Sequence, residues 1–202
     1  MADWATSSGS KIRPYRSMVP AQIRYFDEST AGSTAVIERG DVLTSDTVVT
    51  SGGLRVVRAP SSGGTGTNLM QVGIKSLIGI AAQNSTSDGG NTGLSSNGIG
   101  TVGPRAIGVY LANPGQEFIG VNSTRETGNA VASRSLIGAN AGLVYDRTFH
   151  IFTVQSTLST VALAAVQITD IPESFIGDSG AFPVVFKFLS SNLSPVVAGA
   201  SQ

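Results

Sequence analysis

The chain is predicted to be mainly β: a compact β-barrel-like or β-sandwich core with long loops and an extended N-terminal arm. Three observations carry this. First, the apolar runs are short and alternate. In Val184-Val185-Phe186-Lys187-Phe188-Leu189, Val184, Phe186 and Phe188 fall on one side of an extended chain. A period of two with β-branched and aromatic residues marks a strand with one better-buried face. Second, the runs are punctuated by glycine and proline, 25 and 8 of them, which belong in turns rather than in helix interiors. Third, an apolar pair meets a glycine again and again, at Leu77-Ile78-Gly79, Ala106-Ile107-Gly108, Phe118-Ile119-Gly120, Leu136-Ile137-Gly138 and Phe175-Ile176-Gly177. The spacing is too irregular for a solenoid. It fits strands that bend, or that another backbone approaches closely, as the tight corners of a small barrel require.

In chain order, residues 1–34 read as an extended arm and 35–202 as the β-rich core. Met1 to Ser10 is small and polar. From Lys11 to Phe26, Pro14 and Pro20 discourage a helix and keep the residues before them extended. Ala35–Arg39 is a short strand candidate, and Gly40-Asp41 a turn. Val42–Thr50 and Leu54–Ala59 form a hairpin or meander about Ser51-Gly52-Gly53. Pro60 to Thr67 is a Gly/Ser/Thr loop. Residues 69–82 are apolar, and 83–104 read as an exposed low-complexity loop. Arg105–Ala112 and Gln116–Val121 are expected to form a β pair about Asn113-Pro114-Gly115. The densest apolar stretch is the last third, Ile137 to Leu189, within which Thr157–Ala165 is a short-helix candidate.

Composition narrows the function classes. Charged residues make up 13% of the chain, about half the usual share, which suits a surface largely covered by partners. Such a low-charge surface is also expected to self-associate. Lys+Arg and Asp+Glu balance at 13 each, so no global field attracts nucleic acid or anionic lipid. There are no cysteines, which excludes a disulfide framework and thiol chemistry. No apolar leader and no run of about 18 apolar residues is visible, so neither secretion nor a membrane span is expected.

The candidate chemistry is thin. Gly177-Asp178-Ser179-Gly180 resembles the nucleophile motif of chymotrypsin-like serine proteases. A serine needs a histidine to take its proton and an acid to orient that histidine. The only histidine, His150, lies inside a strand-like run shortly before Ser179, and Ala181 replaces the second motif glycine. The four residues are therefore expected to be a β-turn. One histidine makes no His/Cys metal site, and Asp41, Asp46, Asp88, Asp146, Asp170 and Asp178 all sit in turn-like contexts. The glycine-rich stretch at 61–67 lacks both the lysine and the following helix of a phosphate cradle. No catalytic residue, metal or cofactor is assigned, and the chain is not expected to be an enzyme.

The candidate site is instead the arm. Lys11, Arg13, Tyr15, Arg16, Arg24, Tyr25 and Phe26 interleave basic and aromatic groups, the residue types that favour interfaces. They are assigned to partner binding, with the arm expected to be dispensable for folding. The alternative is an edge segment packed on its own domain.

Taken together these segments resemble a head decoration (cement) protein of tailed bacteriophages. Four features carry the resemblance: the Pro-broken arm before Tyr25-Phe26, the start Glu38-Arg39-Gly40-Asp41-Val42-Leu43, the strand Ile107-Gly108-Val109-Tyr110-Leu111-Ala112, and Ile176-Gly177-Asp178-Ser179-Gly180 before Val184–Leu189. The likeness is one of style across roughly residues 12–190. It implies a small barrel-like or tulip-like core and trimers at capsid quasi-threefold positions. It also implies an arm over the major capsid protein and a place on the outer surface of the virion. The alternatives are another phage structural component, such as a head fibre base or tail protein, or a carbohydrate-binding β-sandwich. The last normally presents tryptophan or tyrosine platforms, whereas the single tryptophan, Trp4, lies in the arm.

Overall fold

A computed structural model describes residues 11–17, 21–28, 37–45, 55–59, 61–62, 69–72, 76–84, 106–122, 131–146, 149–156 and 164–194. The protein is mainly β. The strands in order are β1 (Arg13–Ser17), β2 (Ile23–Glu28), β3 (Val42–Ser45), β4 (Arg55–Arg58), β5 (Ser61–Ser62), β6 (Leu69–Val72), β7 (Leu77–Ala81), β8 (Ala106–Leu111), β9 (Gln116–Val121), β10 (Asn140–Asp146), β11 (Ile151–Gln155), β12 (Val166–Asp170) and β13 (Pro183–Phe188). Three single 3₁₀ turns, Arg134–Leu136, Glu173–Phe175 and Ser190–Asn192, make up the helical content of the described residues.

The strands sort into two layers. Five close on themselves in the order β2-β4-β3-β7-β8, the short parallel contact of β2 with β4 completing the ring. The others form a sheet in the order β1-β9-β13-β12-β10-β6-β5, with β11 paired to β10. A bridge between Asn122 and Val154 brings β11 back against the end of β9, so this sheet also curls.

Alternating side chains build two cores. Ile107, Val109 and Leu111 point from β8 into the barrel, where they meet Leu43, Val56, Ile78 and Ala81. The opposite faces of β3 and β7 contribute Val42, Leu77 and Ile80 to a second, larger core together with Phe118, Phe152, Phe182, Val184, Phe186 and Phe188. A bulge makes this two-sided use of β7 possible. Thr44 pairs with Leu77 and Leu43 with Gly79, leaving Ile78 as the extra residue that turns inward. In β13, Val184, Phe186 and Phe188 are buried in the shared core as expected, but the other face is covered too: Val185 is fully buried and Lys187 half-buried. Phe118 stacks with Phe186 and meets Phe188 edge-on, at centroid distances of 6.2 and 5.3 Å.

Several expectations need correction. Residues 105–121 do supply two strands about Asn113-Pro114-Gly115, but those strands do not pair with each other. β8 pairs with β7 and β2 in the barrel, whereas β9 pairs with β13 and β1 in the sheet. The chain thus crosses between layers at this turn. The division into an arm, 1–34, and a core, 35–202, is not a structural boundary. β1 is an edge strand of the sheet and β2 is a stave of the barrel. Pro14 occupies an edge strand, where a missing N–H is tolerated. Residues 37–40 form a turn rather than a strand, and His150 lies in the turn between β10 and β11. Residues 1–10, 35–36, 63–67, 85–104 and 157–163, on which other expectations fall, lie outside the described residues.

The described N-terminal strands follow β8 and β9 on both sides of the crossing. Ile23 pairs with Tyr110 and Asp27 with Ala106 in the barrel; Arg13 pairs with Ile119 and Pro14 with Phe118 in the sheet. At the crossing, the Leu111 N–H donates to Gln22 O at 3.2 Å and Gln116 Nε2 to Arg16 O at 3.1 Å. Residues 11–17 and 21–28 therefore form a strap across both layers, anchored at its start by Ile12, which is 2% exposed within the shared core.

Candidate docking surface

The strap separates the seven partner-binding candidates by what each side chain touches. Lys11 Nζ lies 2.5 Å from Glu38 Oε2, tying the strap to the turn before β3. Phe26 packs against the barrel core. These two side chains are engaged within the fold and are set apart from the exposed candidates. Arg13, Tyr15, Arg16, Arg24 and Tyr25 are exposed.

On β1, the Arg16 guanidinium lies 4.8 Å over the Tyr15 ring and donates to the Tyr15 hydroxyl at 3.2 Å. That hydrogen bond raises the arginine further above its ordinary value, with neighbouring charges including Asp170 acting the same way. Arg16 Nη2 also stands 3.6 Å from Asp170 Oδ2. A solvent-facing pair of this kind orients the side chains more than it stabilises the protein.

On β2, Ile23 and Tyr25 share the outer wall of the barrel, and both lie over Gly108. A Cβ at residue 108 would stand 3.2 Å from Tyr25 Cε1 and 3.3 Å from Ile23 Cγ2. The glycine gives the two larger side chains a seat against the wall. Even so they remain 44% (Ile23) and 38% (Tyr25) exposed, and Tyr15 41%. Sequence reasoning missed Ile23. Its signal was the i, i+2 spacing with Tyr25 on an extended chain, opposite a Gly-containing strand.

Only the first half of the protease-like motif belongs to a turn, closed by the Asp178 N–H donating to Phe175 O at 2.9 Å. Glu173–Phe175 forms a 3₁₀ turn, Gly177 and Gly180 have φ of +92° and +108°, and Ser179 pairs through its backbone with Val131. His150, with φ of +53°, places Nδ1 3.2 Å from the Tyr145 hydroxyl, not beside Ser179. The turn lies against a second one of the same pattern. Arg134-Ser135-Leu136-Ile137-Gly138 faces Glu173-Ser174-Phe175-Ile176-Gly177, joined by Arg134 to Glu173 at 2.5 Å and by Gly177 N–H to Ala132 O at 2.8 Å. Among the described residues no three His, Cys, Asp or Glu side chains are grouped as a metal ion would need, and no helix is long and apolar enough to cross a membrane. No protein-family model, curated protein or solved structure matches the chain.

Proposed function

We propose that the chain is a non-enzymatic structural protein that binds the outside of a phage capsid and stabilises the shell by clamping neighbouring major capsid protein subunits. The observation that carries this reading is the exposed part of the strap, which carries Tyr15, Ile23 and Tyr25, each about two-fifths exposed, and the exposed arginines Arg13, Arg16 and Arg24. Aromatic and arginine anchors supply most of the energy of a typical interface. Here they are held by strand pairing and by the seat at Gly108, so little conformational entropy remains to be lost on docking. Arginines in this setting suit a partner surface bearing carboxylates, which they can grip bidentately. A shell offers many equivalent sites, and modest contacts repeated across neighbouring subunits, or within a homotrimer, give large avidity.

The test is reconstitution on undecorated shells, with the copy number of this chain per particle measured by mass. Wild-type protein should saturate the shell with many copies. Tyr15→Ala, Arg24→Ala and Tyr25→Ala should each keep the fold and weaken shell binding by about 2 kcal/mol. Salt should weaken wild-type binding only partly, because apolar anchors are not screened. A low copy number would point to a head fibre base or tail component. Unchanged binding in all three variants would remove the strap from the interface.

A further inference from the structure

The joint between barrel and sheet holds a polar cluster that the docking surface does not use. The turn Glu38-Arg39-Gly40-Asp41 leads into β3, and Asp41 is only 3% exposed. Its Oδ2 accepts the Glu38 N–H at 2.9 Å, and its own N–H donates to Glu38 O at 3.0 Å. This turn touches the strap so closely that a Cβ at residue 40 would stand 2.8 Å from Lys11 Cβ. The charged and titratable groups facing Asp41 come from every neighbouring element: Lys11 from the strap, Glu38 from its own turn, Arg58 from β4 and Tyr145 from β10, with His150 beyond Tyr145. The two cations are engaged elsewhere. Lys11 pairs with Glu38. Arg58 Nη1 donates to Tyr145 Oη at 3.2 Å, with its guanidinium 4.7 Å over that ring. Among the described residues, the hydrogen bond that the Asp41 side chain accepts comes from a neutral amide.

We propose that this joint is proton-responsive: uptake of one proton by the Asp41 carboxyl tightens the barrel turn against the strap and the sheet, and its loss loosens them. A buried carboxylate held mainly by one amide bears most of its desolvation cost. The neutral acid in the same place can still accept the Glu38 N–H through its carbonyl oxygen, and that cost disappears. Burial raises Asp41 from 3.8 to about 6, against the opposing pull of the Glu38 amide and Arg58. Because the folded value lies above the ordinary one, the stabilisation is fully present below 3.8 and is lost as pH rises through about 6. Between about pH 7.5 and about pH 5 the closing equilibrium should shift on the order of tenfold towards the closed joint.

Hydrogen exchange at the Gly40, Ala59 and Ala81 amides, which donate to Ala81 O, Val42 O and Asp41 O, reads the joint directly. Corrected for intrinsic rates, opening in the wild type should be about tenfold less frequent at about pH 5 than at about pH 7.5. In Asp41→Asn it should be alike at both. His150→Gln removes the single histidine of the chain and should leave the wild-type dependence in place. Dependence kept in Asp41→Asn, or abolished in His150→Gln, would overturn the proposal. The ¹³C signal of the Asp41 side-chain carboxyl needs no variant. A midpoint near 6 is expected, and one near the ordinary 3.8 sinks the idea.

Discussion

Gly79 shows how much a single position can carry. A Cβ there would lie 2.0 Å from the carbonyl oxygen of Tyr110, across the β7–β8 pair, and that oxygen belongs to backbone that cannot move without breaking the barrel ladder. Gly79→Ala should therefore cost about 3 kcal/mol or more of unfolding free energy. Gly138 makes the useful contrast. It has φ of +88° after the Arg134–Leu136 turn, with nothing within 4 Å of a built Cβ. Gly138→Ala should cost only about 1 kcal/mol, the left-handed strain of an alanine. Denaturant unfolding of the two variants checks both values. A small loss at Gly79 would mean that β7 and β8 are not in contact as described. The recurring apolar-Gly pattern was visible in the sequence as five similar sites. It took the structure to separate glycines that admit a neighbour, at 79, 108 and 120, from glycines that set a turn, at 138 and 177.

At the scale of elements, the strap is where sequence and structure part most. Its basic and aromatic residues made it look like an arm reaching outward, dispensable for folding. In the fold it provides one stave of a five-strand ring and the edge of the sheet. Removing residues 1–32 deletes β1 and β2, opens the ring between β4 and β8, and exposes Ile107, Val109 and Leu111, which are at most 3% exposed in the intact protein. The truncated chain should lose cooperative folding and its β circular dichroism at physiological temperature, rather than remain a folded protein that merely binds poorly. A soluble, β-rich truncated protein would contradict this. Point substitutions at Tyr15, Arg24 and Tyr25 are the appropriate probes of docking, because these side chains stand outside both cores.

For the molecule as a whole, the barrel and the sheet should unfold together. The larger core takes Val42, Leu77 and Ile80 from the barrel and Phe118, Phe152 and Phe186 from the sheet, and the strap and the β8–β9 crossing both run through the junction. Neither layer can open without exposing apolar surface of the other. Calorimetry should show a single transition with equal van't Hoff and calorimetric enthalpies. Two resolved transitions would mean that the layers are separate folding units.

The sequence by itself determined the class of fold and the positions of several strands. Alternation, β-branching and turn residues act over a few neighbours, and such local information identified the strands 42–45, 55–58, 106–111, 116–121 and 183–188 to within a few residues. It also exposed the hairpin of β3 with β4 and the turn that opens Gly177-Asp178-Ser179-Gly180. Only the tertiary structure decided which strands are neighbours. The period of two says that β8 has two faces, but not that its next strand joins a different layer, because that choice rests on contacts far apart in the chain. The same limit separates Lys11 and Phe26 from the exposed members of the strap, and hides the burial of Asp41. Each of these depends on partners outside the local run of sequence: Glu38 for Lys11, the barrel interior for Phe26, and Arg58 and Tyr145 for Asp41.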